Sequence, residues 1–424
     1  MLESQPPDIK VARTSVRQAE RLSRPRGFAA SVVLPLEGVR VVDLTRLLPG
    51  PFATQLLANL GAEVIKIEDP EVGDYMRLVP PAMGDTSYAF IMVNRGKKSV
   101  AVNLKEPEGQ EILHRLVARA DVFVEQFRAG VPARLGADYE SLHKVNPRLV
   151  YCAFEGFGPT GPYAARPAHD IDFESLAGIL GVTSSDHGRP VIPGVPVADL
   201  AAAFNAAFSI LAALRRRDAT GKGEFVDVSI FDTAVSLMVL NLGHYLATGE
   251  EPVAGETILT GQFPFYNIYE TKDGRWLSIA VVEPKFWNRL IEILGLPGIA
   301  ADQFSDEAGR KRATGELRKA FRGKTLADWR AVLANEDLPW APVQNLAEVV
   351  RDPQVRARGM LVEADLGRLG RRDVLGHPAQ MDGVPRAAGV PVASKGEHTE
   401  EILLGLGYTA KEIAGLRMRG IVGL

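Results

Sequence analysis

The stretch LEGVRVVDLTRLLPGPFATQLLANLGAEVIKIE, residues 36–68, decides the fold. Its β-branched run at 36–45 predicts a buried strand, and a Pro-Gly-Pro turn then leads into a helical stretch at 52–60. A glycine follows that helix, and residues 62–68 predict a second strand. Because a strand, a helix and a strand in this order form a βαβ unit, the two strands are expected to be parallel neighbours in one sheet.

The same alternation continues along the chain. Further strands are predicted at 98–104, 121–125 and 149–154. A helix at 108–120 separates the first two of them, and a long alanine-rich helix is predicted at 199–217. We therefore predict an α/β fold in which a doubly wound, mainly parallel sheet forms a large domain over residues 36–220.

The second half of the chain has a different character. Two β-rich segments, 265–271 and 275–282, flank a Lys-Asp-Gly turn, which is the signal of a hairpin. Helical segments follow, and a Pro- and Gly-rich tail begins near residue 342. The predicted divisions outside the large domain are a flexible N-terminal extension at 1–35, a smaller α+β domain at 225–340 and a C-terminal segment at 342–424.

Composition limits the class of function. Hydrophobic residues make up 46% and charged residues 24%, as in a globular protein. The net charge of −3 gives no electrostatic footprint for nucleic acid or an anionic membrane, and no apolar stretch is expected to reach the roughly 18 residues of a membrane span. The single cysteine, Cys152, excludes an intrachain disulfide and favours a cytoplasmic location; its apolar surroundings indicate a buried strand residue rather than a nucleophile.

One match to a nucleotide-binding pattern is misleading. Gly156-Phe-Gly-Pro-Thr-Gly161 fits G-x-G-x-x-G, but Pro159, Pro162 and Pro167 prevent the helix that such a loop must open. Glu68 ends the second strand, as a ribose-binding acid would, yet the turn after the first strand lacks the glycine fingerprint. The sequence also lacks H-E-x-x-H, a Walker loop and G-x-S-x-G, so NAD, zinc-peptidase, P-loop and serine-hydrolase chemistry are not expected.

The candidate reacting groups are polar residues in apolar surroundings. Asp199 stands at the predicted start of a long helix, where a carboxylate can act as an N-cap. We expect the helix terminus to keep it ionised and an apolar wall to leave it poorly solvated, which suits a nucleophile. His169 and Asp170 also lead into a predicted helix, and Glu283 precedes a proline at a strand end, so purely structural roles stay open for all four.

Two basic segments fall on predicted loops. They are Asn94-Arg-Gly-Lys-Lys-Ser99 and the residues from Phe127 to Arg134. A charged surface is the simplest interpretation of both. Loops at strand ends are also where α/β proteins bind nucleotides, so a binding role stays open.

These segments, in this order, resemble the class III CoA-transferase family (CaiB/BaiF type), which includes formyl-CoA transferase, the carnitine CoA-transferases and α-methylacyl-CoA racemase. Gly158-Pro-Thr-Gly-Pro-Tyr163, Thr220-Gly-Lys-Gly223 and residues 396–402 extend the likeness from about residue 35 to the end. It implies an interlocked homodimer in which the small domain is inserted and 342–424 returns to the large domain. It also implies an acyl-CoA and a carboxylic acid acceptor as substrates, with no tightly bound cofactor.

The resemblance assigns roles. In the transferases, the carboxylate matching Asp199 attacks the thioester to give an anhydride, and the returning CoA thiolate forms an aspartyl-CoA thioester. In the racemase, His169 and Asp199 match the two acid/base groups, while Asp170 and Glu283 match residues that orient the histidine. The residues matched to CoA contacts are Asn103, Leu104, Lys105, Phe127, Arg128 and Arg134.

Departures from the family pattern bear on the choice of activity. Asp69 stands where the family often has arginine, which puts one CoA contact in doubt, and Leu48 replaces a glutamine of formyl-CoA transferase, so formate and oxalate are not expected as substrates. His169 favours a racemase, whereas residues 75–81 and 94–99 favour a transferase. We predict an acyl-CoA:carboxylate CoA-transferase, with a racemase and a non-catalytic CoA-binding protein as alternatives.

Overall fold

The computed structural model describes residues 33–184, 189–387 and 391–423. Nearly all of the predicted extension at 1–35 lies outside the described residues. The strands, in chain order, are β1 (Arg40–Leu44), β2 (Glu63–Glu68), β3 (Ala82–Met83), β4 (Thr86–Ser87), β5 (Lys98–Ala101), β6 (Val122–Glu125), β7 (Val150–Glu155), β8 (Glu224–Ser229), β9 (Tyr266–Glu270), β10 (Trp276–Ala280), β11 (Trp340–Pro342), β12 (Leu361–Asp365) and β13 (Arg371–Leu375).

The helices alternate with these strands in the first half of the chain and dominate the rest. They are α1 (Pro49–Asn59), α2 (Tyr88–Asn94), α3 (Pro107–Val117), α4 (Val131–Arg134), α5 (Tyr139–Val145), α6 (Asp170–Leu176), α7 (Ile179–Val182), α8 (Val197–Thr220), α9 (Ile230–Leu237), α10 (Val239–Thr248), α11 (Pro284–Leu294), α12 (Glu307–Phe321), α13 (Leu326–Leu333), α14 (Leu346–Arg351), α15 (Pro353–Ala357), α16 (Thr399–Gly405) and α17 (Ala410–Met418). The predicted helix at 52–60 begins earlier, at Pro49, because proline is well accommodated in a first helical turn.

The large sheet confirms the predicted doubly wound α/β class. Its strand order is β5-β2-β1-β6-β7-β8, and every neighbouring pair is parallel. Helices α1, α6, α8 and α9 cover one face, and α3, α5, α16 and α17 cover the other. From β1 the chain first winds outward through β2 to β5 and then through β6 to β8. The crevice between the ends of β1 and β6 is therefore the switch point, where this fold class binds ligands.

The edge strand β8 revises one predicted boundary. It pairs in parallel with β7 over six residue positions, so the large sheet continues beyond residue 220 although β8 lies inside the range predicted for the small domain. The predicted hairpin is present as β9 and β10, and β11 pairs with β10. These strands pack with α11, α12 and α13 around Trp287, Phe321 and Trp329. Cys152 is fully buried in β7, as predicted, and burial raises the pKa of its thiol.

The end of the chain packs on the large sheet. The His398 backbone N–H donates to the Ser99 carbonyl at 2.9 Å, and the Asn103 N–H donates to the Ile421 carbonyl at 2.8 Å. Leu403 and Leu416 are buried in the same core cluster as β5 and α3. Residues that are about 300 positions apart in sequence therefore complete one core.

Helix α8 corrects the expectation about membrane-length segments. It is long and apolar enough to cross a membrane by length and composition, and α9 with α10 pass the same test together despite a 65° bend. This alanine-rich helix passes the test although it contains the polar residues Asp199 and Asn205. One side of α8 packs against α1, α6, α9, β7 and β8. Its opposite side leaves Phe204 and Phe208 exposed.

Candidate functional site

A cavity of about 350 Å³ opens at the carboxyl ends of β5, β2, β1 and β6. It spans the switch point, since it is lined by Thr45 and Arg46 after β1 and by Phe127 after β6. Asp69 after β2 and Asn103 after β5 complete its base. The parallel order of the strands brings these residues together, because parallel strands all end at the same edge of the sheet.

Four of the six residues matched to CoA contacts line this cavity. They are Asn103, Leu104, Lys105 and Phe127. Arg128 and Arg134 do not line it; they are exposed on the loop after Phe127 and on the short helix α4. The structure thus brings the 103–105 strand end and Phe127 to one site and leaves the two arginines beside it.

Sequence reasoning missed Arg46. Its guanidinium carbon lies 5.3 Å from the ring centroid of Tyr75 and 5.3 Å from that of Phe127, a double cation–π arrangement at the mouth of the cavity. Of the described residues that line the cavity, Arg46 and Lys105 carry positive charge. Both could bind phosphate oxygens. The place of Arg46, directly after the first strand, was the available signal.

Asp69 has a local structural role. Its Oδ1 accepts hydrogen bonds from the backbone N–H groups of Glu71 and Val72, at 2.9 and 3.1 Å. The Gly73 N–H donates to the Asp69 carbonyl at 3.0 Å. The carboxylate therefore closes the turn that forms one cavity wall.

Glu68 is not available to a ribose. Arg77 Nη2 lies 2.6 Å from Glu68 Oε1, Arg77 Nε donates to Oε2 at 2.8 Å, and Ser99 Oγ donates to Oε1 at 2.6 Å. Burial alone would raise the pKa of Glu68, but the hydrogen bonds and charge of Arg77 outweigh it and lower the pKa to about 2. The residues after Gly156 form turns, and the next helix begins at Asp170. Neither Glu68 nor the loop after Gly156 therefore has the geometry of a dinucleotide site.

The interpretation of Asn94–Ser99 as a charged surface was wrong. Lys97 is buried, with Nζ 3.0 Å from Asp43 Oδ2 and 2.7 Å from Thr54 Oγ1. Burial, opposed in part by Asp43, lowers the pKa of Lys97 to about 8. Asp43 also accepts hydrogen bonds from the hydroxyls of Thr45 and Thr54, at 2.5 and 2.6 Å. The motif supplies a cation to a buried network beneath the cavity.

A second buried cation ties two cavity walls together. Lys66 Nζ lies 2.8 Å from Asp74 Oδ2 and donates to the Thr45 carbonyl at 2.7 Å. Asp74 Oδ1 accepts the Leu47 N–H at 2.9 Å. Leu47 has φ +64, which among the described non-glycine residues is the single positive value. A left-handed leucine costs about 1–2 kcal/mol, so Asp74 holds a strained turn after β1 in place.

Asp199 lies half-buried in the first turn of α8, a separate place from the residues that line the cavity. Since α8 begins at Val197, Asp199 is within the helix and is not its N-cap. Its backbone N–H donates to Asp170 Oδ1 at 3.0 Å, and the Val197 N–H donates to Glu174 Oε1 at 3.1 Å. Burial, followed by the negative charges of Asp170 and Glu174, raises the pKa of Asp199 to about 7, against the expectation that the helix terminus keeps it ionised.

The structure brings Asp170 to Asp199 through a hydrogen bond, with His169 next to Asp170 in the chain, and it does not bring Glu283 to them. His169 is exposed and directly precedes α6, and its backbone N–H donates to Asp172 at 2.9 Å. Asp170, matched to a histidine-orienting residue, instead binds the Asp199 N–H. Within the described ranges Glu283, exposed at the start of α11, makes no hydrogen bond or ion pair to the other three through its side chain.

Comparisons with known proteins find a family and a fold that match most of the chain. The family model for "CoA-transferase family III" matches residues 36–399. The succinyl-CoA:glutarate CoA-transferase of Mus musculus is 35% identical over 375 residues, which cover 87% of this chain and 86% of the relative. The succinyl-CoA:mesaconate CoA-transferase of Haloarcula hispanica is 36% identical over 386 residues, covering 87% and 95%. A CAIB/BAIF family protein from Brucella suis has a similar crystal structure, with TM-score 0.78 and 32% identity, covering 88% of this chain and 99% of that one.

We predict that Asp74→Asn lowers the free energy of unfolding by about 3 kcal/mol, because it removes the carboxylate that forms an ion pair with the buried Lys66 ammonium. The amide oxygen can still accept the Leu47 N–H, so the loss reports on the ion pair. Urea unfolding followed by circular dichroism measures it.

Glu111→Gln is the matched control for this change. It breaks the pair between Glu111 and Arg115, both exposed side chains on α3, and we expect at most about 0.5 kcal/mol. Equal effects of the two substitutions would contradict a structural role for the buried pair.

Proposed function

Since the chain belongs to CoA-transferase family III and is a CoA-transferase, we propose that it transfers CoA from succinyl-CoA to a dicarboxylic acid through covalent intermediates on Asp199. The observation that carries the mechanism is the state of this carboxylate. Asp199 is half-buried, has a raised pKa, and makes no ion pair with the described Lys and Arg residues. An acid with this environment is a better nucleophile than an ordinary carboxylate, because it is more basic and less solvated.

The proposed steps balance without a net proton. An Asp199 oxygen attacks the thioester carbonyl, the C–S bond breaks, and a mixed anhydride and CoA thiolate result. The thiolate attacks the Asp199 acyl carbon and expels the donor as its carboxylate, which leaves an aspartyl-CoA thioester. The acceptor carboxylate attacks that carbon and expels the thiolate, giving a new anhydride. The thiolate finally attacks the acceptor's acyl carbon and regenerates Asp199.

The cavity is the proposed site of the nucleotide end of CoA. Arg46 and Lys105 can pair with its phosphates, and Phe127 offers an aromatic face to adenine. The long pantetheine arm would then carry the thioester to Asp199, which lies outside the cavity. Separate binding and reacting places suit a substrate whose recognised and reacting ends are far apart.

The substrate class follows from the relatives. The mouse and Haloarcula proteins are named for succinyl-CoA as donor and for glutarate or mesaconate as acceptor. Both acceptors have two carboxylates. The transferase names also favour CoA transfer over α-proton exchange, although His169 stands beside Asp170 as the racemase alternative requires.

We further propose that the chain works as a homodimer. The side chains of Phe208, Val239, Leu240 and Leu246 are 71%, 69%, 66% and 80% exposed on α8 and α10. Large apolar side chains exposed to this extent are typical of an association surface.

The intermediate can be tested directly. Incubation with succinyl-CoA, without acceptor, is expected to place CoA in thioester linkage on the peptide that contains Asp199, as measured by mass spectrometry. Asp199→Asn should abolish the adduct and lower the rate of transfer to glutarate by about 10⁴-fold, because no nucleophile remains. Transfer at the wild-type rate in this variant would overturn the assignment. Deuterium uptake at the α-carbon of a 2-methylacyl-CoA in D₂O, without acceptor, would instead support the racemase.

Arg46→Ala is expected to raise the KM for succinyl-CoA about tenfold with little change in kcat, because it removes one charged phosphate contact. Steady-state kinetics at saturating glutarate measure both. Arg289→Ala, which removes an exposed arginine paired with Glu336 in the small domain, is the control and should leave KM unchanged. Equal KM values for the two variants would contradict the proposal that the cavity binds the nucleotide end of CoA.

The proposed homodimer can be tested by measuring the molecular mass in solution. Light scattering coupled to gel filtration should give twice the chain mass of 45.9 kDa. A monomer at micromolar concentration would contradict the proposal, and Leu246→Glu should weaken the dimer because it places a charge in the apolar surface.

A further inference from the structure

Glu174 lies in the middle of α6 and is fully buried. Its Oε1 accepts the Val197 N–H at 3.1 Å, in the first turn of α8. Its Oε2 is buried and has no hydrogen-bond partner in the described part of the chain. An ionised carboxylate oxygen in that condition is costly, so this atom requires an explanation.

The ionisable groups around Glu174 are acidic. The ionisable groups that face Glu174 are Asp170 on α6 and Asp199 on α8. Of the other two helices packed against α6, α7 has no ionisable residue and α9 has Asp232, whose charge acts on Asp227. Within the described ranges, no Lys or Arg forms an ion pair with Asp170, Glu174 or Asp199. Three carboxylates therefore share one place without a cation.

We propose that Glu174 is a positioning residue for Asp199 and that it acts as a neutral carboxylic acid, with its Oε2–H donating to the Asp170 carboxylate. The neutral form turns the unpartnered oxygen into a donor and reduces the charge of the Glu174–Asp170 pair from two to one. Burial, followed by the charge of Asp170, raises the pKa of Glu174, in agreement with this state.

The arrangement explains how the first turn of α8 is held. Glu174 accepts one N–H of that turn and Asp170 accepts the N–H of Asp199 itself. A proton between the two side chains would couple them into one unit that spans α6 and α8. Asp170 would then face Asp199 with a single negative charge. The inference rests on the proposed function only in taking Asp199 as the reacting group.

Infrared spectroscopy of the full-length protein tests the protonation state without turnover. At pH 8 in D₂O, the difference spectrum between wild type and Glu174→Gln is expected to show the C=O stretch of a protonated carboxyl that the variant lacks. Other buried acids, such as Glu125 with its pKa raised by burial to about 8, contribute to both spectra and cancel. A difference spectrum that shows an ionised carboxylate would overturn the proposal, whatever activity the protein has.

Kinetics test the positioning role. Burial, followed by the charge of Asp170, raises the pKa of Asp199 well above its ordinary value, so kcat/KM should increase with pH near neutrality as this carboxylate ionises. Glu174→Gln replaces a neutral carboxylic acid with a neutral amide, and both can donate and accept a hydrogen bond. The midpoint of the pH dependence of kcat/KM should therefore move by less than about 0.3 pH units. Asp170→Asn removes the remaining charge and should move the midpoint down by about one unit. A downward shift of that size in Glu174→Gln would show that Glu174 is itself ionised and would refute the proposal.

Glu174→Leu removes the acceptor of the Val197 N–H and should lower kcat about tenfold, while the KM for succinyl-CoA stays unchanged. Its thermal unfolding, compared with that of Glu111→Gln, shows whether the protein is folded. If the leucine variant is folded and has the wild-type kcat, Glu174 does not position Asp199. If instead wild type forms no adduct on Asp199, the proposed function fails, and the infrared result still decides the state of Glu174.

Discussion

The Asp43 carboxylate, at the end of the central strand β1, is the group on which the rest of the cavity depends. It is fully buried and is stabilised by Lys97 from the segment before β5, by Thr45 directly after β1 and by Thr54 on α1. Burial opposes its ionisation, but Lys97 and Lys66 outweigh this and lower the pKa of Asp43. A buried charge that lost these partners would cost several kcal/mol, so the carboxyl ends of neighbouring strands must stay in register.

Buried charge has opposite consequences at the two halves of the candidate site. Beneath the cavity each carboxylate has a cation: Asp43 has Lys97, Asp74 has Lys66, and Glu68 has Arg77. The ion pairs hold these groups in fixed positions, as a scaffold requires. At the start of α8 no described Lys or Arg pairs with the carboxylates. Asp170 and Glu174 instead accept hydrogen bonds from backbone N–H groups, and Asp199 lies next to them. The Asp199 proton can therefore be gained or lost near neutral pH, which suits a reacting group and does not suit a scaffold.

The sequence alone was sufficient to predict the features that depend on a local pattern of residues. The βαβ order of residues 36–68 predicted parallel strands, which the structure has. The family resemblance matched Asn103 and Phe127 to CoA contacts, and both line the cavity. What the sequence could not indicate were pairings between distant residues. Lys97 lies 54 positions from Asp43, so its burial depends on the packing of β1 and β5 in one sheet. Glu174 was missed because nothing in a short helix indicates that one glutamate meets the backbone 23 positions later.

Asp199 shows why its position in a helix is not enough to predict the protonation state of a carboxylate. A carboxylate in the first turn of a helix gains about 0.3–1 kcal/mol from the helix dipole, which favours its ionised form. The rise of its pKa from 3.8 to about 7 corresponds to about 4 kcal/mol in the opposite direction. Burial and the neighbouring acid Asp170 therefore outweigh the helix terminus. Because Asp170 also accepts the Asp199 backbone N–H, the contact that holds the first turn of α8 brings with it the charge that makes the Asp199 carboxylate more basic. Position and reactivity thus have a common origin in the packing of α6 against α8.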